Sequence, residues 1–215
     1  MIHFQVDMQD LTEIEAALGM MKDKSTMVLR SAINDTAKQI EKRMSRDAKS
    51  KYKYKSGRVA DIRAFNKIKK ATTGNMTAMI ESVGTANDLL DFVVKPSDYF
   101  PGGKGAPTWI KARGKRNGRF TRLARNPSAA GDKYKGFVVK FDNDHLAVVE
   151  RVPGKYMRQK HVNRKYGGQK KEALEALYSI ATPKMEEVVY RDNIADDMYD
   201  ILQENIQKQM LRYLG

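Results

Sequence analysis

The sequence contains no cysteine, which excludes disulfide bonds, thiolate nucleophiles and cysteine metal ligands and favours synthesis in a cytosol. It also lacks any apolar run of the roughly 20 residues that span a bilayer. Its first ten residues, MIHFQVDMQD, carry acids and no leading basic segment, so no secretory signal is predicted. With 41% hydrophobic and 31% charged residues among 215, the composition is that of a globular protein with one sizeable core.

Motifs for catalysis are missing as well. The stretch PGGKGAPT lacks the spacing and the strand-to-helix context of a phosphate-binding loop, and no G-x-S-x-G nucleophile elbow occurs. His161 and Asn163 begin the pattern of a His-Asn-His nuclease, but no second histidine follows the asparagine. Asp142 and Asp144 are more typical of a turn than of a magnesium site. We therefore predict no enzyme activity, no metal and no cofactor, and we keep a metal nuclease based on His145 and Asp144 as a third alternative.

The charge of the chain is strongly segregated. The formal net charge is +14. Residues 42–70 contain twelve Lys and Arg against two acids, residues 104–140 eleven against one, and residues 151–171 eight against none. Residues 172–215 contain four bases and nine acids. Such segregation predicts one surface that faces a polyanion and another that faces different partners, with a merely solvated basic surface as the alternative.

Two helices are predicted in the first 50 residues. Asp10 and Glu13 have the spacing of an N-cap and N3 pair, which predicts a short helix to about Met20. A second helix, capped by Ser25, is predicted to extend to near Ala48. Its apolar stripe recurs at three- and four-residue steps and consists of Val28, Leu29, Ala32, Ile33, Thr36, Ala37, Ile40 and Met44. A helix of this kind needs a sheet or a neighbouring subunit to pack on.

The middle of the chain is predicted to form an antiparallel meander. Thr72-Thr73-Gly74-Asn75 has the composition of a hairpin turn between two short β-prone segments. LLDFVVKP is predicted to be a strand that Pro96 ends, and KGFVVKF and HLAVVERV a second hairpin across Asp142-Asn143-Asp144. Within the basic stretch 97–135 only TWIKARG has a strand pattern.

The C-terminal residues are predicted to be helical, with Thr182 as an N-cap before Pro183 and Asp192 as the cap of a final helix. The element order predicts an α+β fold in a single domain, 1–215. Its parts are N-terminal helices at 10–50, an antiparallel sheet at 62–152 with a basic loop at 97–135, a second basic loop at 153–171 and a helical C-terminus at 172–215.

Cations alternate with aromatic residues in KYKYKSGRV, residues 51–59, a composition that favours contact with nucleic acid or with acidic partners. The predicted DNA- or partner-facing basic residues are Lys51, Lys53, Lys55, Arg58, Lys111, Arg113, Lys115, Arg116, Arg119, Lys160, Arg164 and Lys165. The predicted subunit contacts are apolar positions of the final helix: Ile194, Met198, Ile201, Leu202, Ile206 and Met210.

Five segments carry a family resemblance, in this order along the chain: AINDTAKQI, KKATTGNMTAMIESVG, LDFVVKP, GFVVKF with HLAVVERVPG, and LYSIATPKM. Taken together they resemble the prophage minor tail protein Z family, the tail completion proteins of lambda-like tailed phages. The similarity extends from about Leu11 to the C-terminus. The stretch 100–135 is longer than is usual in the family, and YSIATP lacks a glycine and a second proline that are expected in that turn.

The resemblance implies a structural virion protein of α+β fold, made in the host cytoplasm and located at the head-proximal end of the tail. It implies a ring of identical copies, a hexamer by the symmetry of tails, that contacts other tail and neck proteins such as the tail terminator and the head-tail connector. Contact with DNA in the channel would be independent of sequence, and no membrane is involved. The alternative that the residues alone support is a free-standing basic nucleic-acid-binding protein.

Overall fold

The computed structural model of the chain describes residues 2–5, 16, 19, 22–54, 62–101, 109–123, 136–157 and 172–214. These residues form an α+β protein with antiparallel sheets, as predicted. The three long helices are α1 (Lys22–Lys51), α2 (Thr182–Asn193) and α3 (Met198–Leu214). The helix predicted at 10–20 lies almost entirely outside the described residues.

Within the described ranges, nine strands form three separate three-stranded sheets with the orders β1-β3-β2, β4-β5-β6 and β7-β8-β9. Their bounds are β1 Ile2–Gln5, β2 Asn66–Lys69, β3 Thr77–Ser82, β4 Val93–Lys95, β5 Lys111–Arg113, β6 Thr121–Arg122, β7 Phe137–Lys140, β8 Leu146–Tyr156 and β9 Glu172–Ala176. The single meander predicted for 62–152 is therefore divided, and β1 and β6 were not predicted.

The chain divides into two compact units, each built from separate segments. The first unit comprises residues 1–51, 61–85 and 181–215, and the second comprises residues 52–60 and 86–180. The single domain expected from the sequence stays a prediction, and we describe each unit by itself.

In the first unit the predicted apolar stripe of α1 is confirmed as core. All eight of its residues are buried, and α1 packs against α2, α3 and strand β3. The helix is longer than predicted at both ends, so Ser25 lies inside it and is buried rather than capping it. The first sheet packs next to this helix through Ala78 and Ile80 of β3, and the predicted turn at Thr72–Asn75 joins β2 to β3 with paired backbone hydrogen bonds.

The helical C-terminus differs from the prediction in three respects. Residues 172–176 form strand β9, because their backbone groups pair with the open edge of β8 and this pairing outweighs the helical preference of EALEA. The N-cap of α2 is Ala181, one residue before the predicted Thr182. Asp192 lies within α2 and does not cap α3, since a turn at 194–197 separates the two helices and Asp192 bonds to Lys51 instead.

The second unit contains the other two sheets and a core of Leu89, Val94, Ile110, Ala112, Val138 and Val148. The predicted strands around Val94, Ala112, Val138 and Val148 are confirmed. Strand β8 continues to Tyr156, four residues into the predicted loop 153–171, because Tyr156 pairs with Glu172 beyond an irregularity in register. The turn between β7 and β8 is the predicted one, and Asp144 adopts a left-handed φ of 60° there, which aspartate tolerates well.

Candidate functional site

The tract KYKYKSGRV is less exposed than its composition suggests. Tyr52 is only 3% exposed, and Tyr54 packs edge-on against Phe92 with its ring centroid 6.4 Å away. The Tyr54 hydroxyl is buried and has no hydrogen-bond partner in the described part of the chain. Burial raises its pKa against the opposing influence of Arg116. The two tyrosines are therefore core residues and not a platform for stacked bases.

The basic residues of that tract have different surroundings. The Lys51 ammonium lies 2.6 Å from the Asp192 carboxylate and lowers its pKa, so Lys51 is already paired. Lys53 has an exposed side chain, while its amide donates to the Gly114 carbonyl at 2.8 Å. The predicted residues Lys55, Arg58, Lys160, Arg164 and Lys165 lie outside the described part of the chain.

One side of the β4-β5-β6 sheet brings cations together. Lys95 of β4 is directly opposite Lys111 of β5, and Lys111 is directly opposite Arg122 of β6. Side chains at opposite positions lie on the same side of a sheet, and so do those two residues apart, which adds Arg113. By the same alternation Trp109 and Phe120, which flank these strands, belong to this side. We call these residues the basic face: Lys95, Trp109, Lys111, Arg113, Phe120 and Arg122.

Cation–π contacts hold the two aromatic rings of the basic face. The Arg113 guanidinium lies 5.0 Å and the Lys95 ammonium 5.4 Å from the centre of the Phe120 ring. The Arg122 guanidinium lies 5.3 Å from the centre of the Trp109 ring. Such contacts contribute about 0.5–1 kcal/mol each at exposed sites, and they fix the cations in place.

The positive charge of the basic face is not compensated by any described carboxylate. No carboxylate among the described residues forms an ion pair with Lys95, Lys111, Arg113 or Arg122, although ion pairs occur elsewhere in the described chain. The Nε atom of Arg113 is buried and has no hydrogen-bond acceptor among the residues that the structure describes. Like charges directly opposite one another destabilise a sheet. A row of three cations across three strands is therefore costly to the fold, and an external anion would relieve that cost.

The turn between β5 and β6 carries more of the predicted cations. Lys115, Arg116 and Arg119 are exposed there, and Gly118 closes the turn by donating to the Lys115 carbonyl at 3.1 Å. All five predicted basic residues in the segment 111–119 thus lie on or beside one sheet. Lys95 and Arg122 were missed, and the alternation of side chains along β4 and β6 was the signal for them.

The predicted subunit contacts of the final helix need correction. Ile194, in the turn before α3, and Ile201 and Ile206 of α3 are 0, 7 and 8% exposed, because they pack within the chain's own first unit. Asn205 and Gln209, on the same side, bond to α1: Asn205 donates to Thr36 at 3.0 Å and Gln209 to Asp35 at 2.7 Å. Met198, Leu202 and Met210 are half-buried. The buried three are core residues and are not available to another subunit.

A buried carboxylate lies in the first unit. Glu186 is 1% exposed and accepts hydrogen bonds from Ser82 at 2.6 Å, Asn66 at 2.7 Å and Ser45 at 3.5 Å. Burial raises its pKa more than these bonds lower it, and nearby Glu41 adds to the rise. The carboxylate borders an open pocket of about 250 Å³. From the sequence, Glu186 was expected only to suit the helix dipole.

His145 and Asp144 do not converge on a common point. The Asp144 carboxylate lies 2.6 Å from the Lys140 ammonium, while His145 Nε2 lies 3.5 Å from Asp88 Oδ2. Where the structure describes the chain, no three His, Asp or Glu side chains lie close enough together to hold a metal ion. In that same part, none of the helices has the length and apolar character needed to cross a membrane.

The fold defines the chain as an α+β protein with antiparallel sheets and a cationic sheet face. No protein-family model, curated protein or solved structure matches the chain. Inference about function therefore depends on the residues and on the geometry described above.

Proposed function

We propose that this chain is a structural tail completion protein of a lambda-like tailed phage. It forms a ring at the head-proximal end of the tail and makes the tail competent to join the head and to pass DNA. Its partners in this proposal are further copies of itself, the neighbouring tail terminator and head-tail connector, and DNA in the channel. It performs no catalysis and requires no cofactor.

The observation that carries the proposal is the ordered set of segments that resemble the prophage minor tail protein Z family. These segments coincide with regular elements: AINDTAKQI lies within α1, KKATTGNMTAMIESVG begins at the last residue of β2 and contains the turn and β3, and LDFVVKP contains β4. GFVVKF and HLAVVERVPG form the β7–β8 hairpin, and LYSIATPKM leads into α2. An ordered resemblance that follows the elements of the fold supports the proposal better than scattered similarity would.

The charge distribution gives a second, independent support. A ring at the junction of head and tail must bind neighbouring copies and tolerate DNA in its channel. The basic face offers a cationic surface, and α3 carries exposed acids in the other unit. Surfaces of opposite sign on one subunit favour ordered assembly with correct orientation.

The experiment is genetic and structural. Deleting the gene from the genome that encodes it should yield particles in which filled heads and tails fail to join or join without infectivity, and supplying the full chain in trans should restore infectivity. Electron micrographs count joined particles, and plaque assays measure infectivity. Normal infectious virions from the deletion strain would overturn the proposal.

A free-standing nucleic-acid-binding protein is the second candidate. It is favoured by the row of Lys95, Lys111 and Arg122, which forms no ion pair with any described carboxylate. This candidate predicts tight binding of purified chain to duplex DNA with a steep dependence on salt, because each neutralised phosphate releases counterions. Replacing Lys111 and Arg122 with glutamine would weaken that binding across all DNA sequences. Absence of measurable binding near physiological salt excludes this candidate.

A further inference from the structure

We infer that the basic face of one copy binds an acidic stripe on α3 of another copy. Each copy would then contact its neighbours through two different surfaces. The acidic stripe consists of Asp200 and Glu204 on the outward side of α3, with Asp196 in the turn before the helix. The inference rests on the ring-forming part of the proposed function and names the two surfaces that form the ring contact.

The carboxylates of the acidic stripe are free of partners in the part of the chain that the structure describes. Asp196, Asp200 and Glu204 are exposed, and none forms an ion pair with a described residue. Two neighbouring acids differ, since Asp192 pairs with Lys51 and Asp197 pairs with Arg43. The acids near α1 thus form ion pairs with cations of α1, whereas the outward acids are accessible to a cation of another molecule.

The same side of α3 also exposes apolar surface. Residues 200, 204 and 211 lie within one narrow stripe of a helix with 3.6 residues per turn. Leu211 in that stripe is 72% exposed. Ion pairs between exposed side chains contribute at most about 1 kcal/mol each, so a stable contact needs buried apolar area as well. On the basic face, the aliphatic stems of the exposed side chains Lys95, Lys111 and Arg122 provide such area.

The two surfaces match in size. Adjacent strands are about 4.8 Å apart, so the row Lys95–Lys111–Arg122 spans roughly 10 Å. Residues four apart on a helix are about 6 Å apart along its axis, which places Asp200 and Glu204 within reach of two neighbouring cations of the row. A straight row of cations on a sheet thus fits a straight row of acids on a helix.

A second copy fits the basic face better than nucleic acid does. Cations already lie over the Phe120 and Trp109 rings, in the position that a stacked base would need. The acidic stripe is present on every copy, at equal concentration to the basic face. Because the two surfaces differ, the contact is heterologous, and heterologous contacts close into rings when their rotation permits.

The test uses complementary charge reversals in the purified full chain. One variant carries Lys111→Glu with Arg122→Glu, and the other carries Asp200→Lys with Glu204→Lys. Sedimentation velocity measures the mass of each variant alone and of their equimolar mixture. We expect the wild type to associate, each variant alone to dissociate at least tenfold more readily, and the mixture to regain association. Raising NaCl from about 50 to 500 mM should weaken wild-type association, because salt screens exposed charges.

The control variant carries Lys24→Glu with Lys42→Glu, which makes the same change in net charge at two exposed positions of α1. It should associate like the wild type. Circular dichroism of every variant confirms that the fold is retained. The inference is overturned if the wild type stays monomeric up to its solubility limit, if either reversal leaves association unchanged, or if the mixture fails to regain it.

A loss of DNA binding by the Lys111→Glu/Arg122→Glu variant without a change in association would also overturn the inference, in favour of a nucleic-acid partner. Failure here is distinct from failure of the proposed function. Suppose that the deletion experiment shows that particles need the protein to join heads to tails, while the charge reversals leave its association unchanged. That result would contradict only the assignment of the two surfaces.

Discussion

At the scale of single residues, Glu186 combines burial of its carboxylate with a raised pKa. Its carboxylate is buried among three hydrogen-bond donors and beside Glu41, and its pKa is raised. A carboxyl whose pKa is higher in the folded state binds its proton more tightly there than in the unfolded chain. Its contribution to stability is therefore full below the ordinary glutamate pKa of about 4.3 and is lost as pH rises through the raised value.

Glu186→Gln should reduce the loss of stability that accompanies a rise in pH above about 4.3, because the amide cannot ionise. Urea unfolding at a series of pH values measures this slope. Glu187→Gln is the matched control. Glu187 is exposed, and Lys184 lowers its pKa by donating a hydrogen bond, so this variant should change the pH dependence of stability only slightly and in the opposite direction. A slope that Glu186→Gln leaves unchanged would contradict the raised pKa.

Removal of the Glu186 carboxyl has a different consequence. Glu186→Ala should lower the free energy of unfolding by about 1–3 kcal/mol relative to Glu186→Gln, because Ser82 and Asn66 lose their acceptor inside the protein. Denaturant unfolding at neutral pH compares the two variants. Equal stability of both would mean that water replaces the carboxylate without cost.

At the scale of elements, the long helix α1 was predictable because its pattern is strong and local. Eight apolar or small residues recur with helical spacing, and all of them are buried. The hairpins were predictable for the same reason, since Gly74 and Asp144 supply turn conformations at the expected points. Strand β9 was not predictable, because its residues favour a helix and only the edge of β8, distant in sequence, makes them a strand.

The burial of the α1 stripe gives a direct prediction. Ile40→Ala should lower the free energy of unfolding by about 2–5 kcal/mol, since it leaves a cavity at a fully buried position. Lys42→Ala, two residues away and exposed, should change it by less than about 0.5 kcal/mol. Denaturant unfolding of both variants makes the comparison, and equal effects would contradict the packing of α1.

The row of cations on the basic face should cost stability. Lys111→Thr removes the middle charge from between Lys95 and Arg122 and should raise the free energy of unfolding by about 0.2–1 kcal/mol. Lys67→Thr in β2 is the matched control, because Lys67 is opposite Glu81 and its loss removes an attraction. Thermal unfolding at low salt measures both. Destabilisation by Lys111→Thr would indicate that the cations are balanced within the fold.

At the scale of the whole molecule, the sequence indicated segregated charge but not its position in space. The basic residues of 111–119 converge on one sheet with Lys95, which is distant in sequence, because pairing of β4 with β5 brings them together. The composition of KYKY predicts an exposed tract, but Tyr52 is buried and Lys51 is paired with Asp192. Composition alone therefore does not determine which residues of a basic tract are exposed. Likewise, the sequence does not show which acids of the C-terminal segment are paired within the chain, as Asp192 and Asp197 are, and which face outward, as Asp200 and Glu204 do.

The central claim is that the chain is a virion component at the junction of head and tail. Cryo-electron microscopy of intact particles produced by the encoding genome tests it most directly. We expect density for a ring of this α+β subunit at the head-proximal end of the tail, with the basic face of each copy against α3 of the next. Purified, infectious particles whose structure and protein content lack this chain would contradict it.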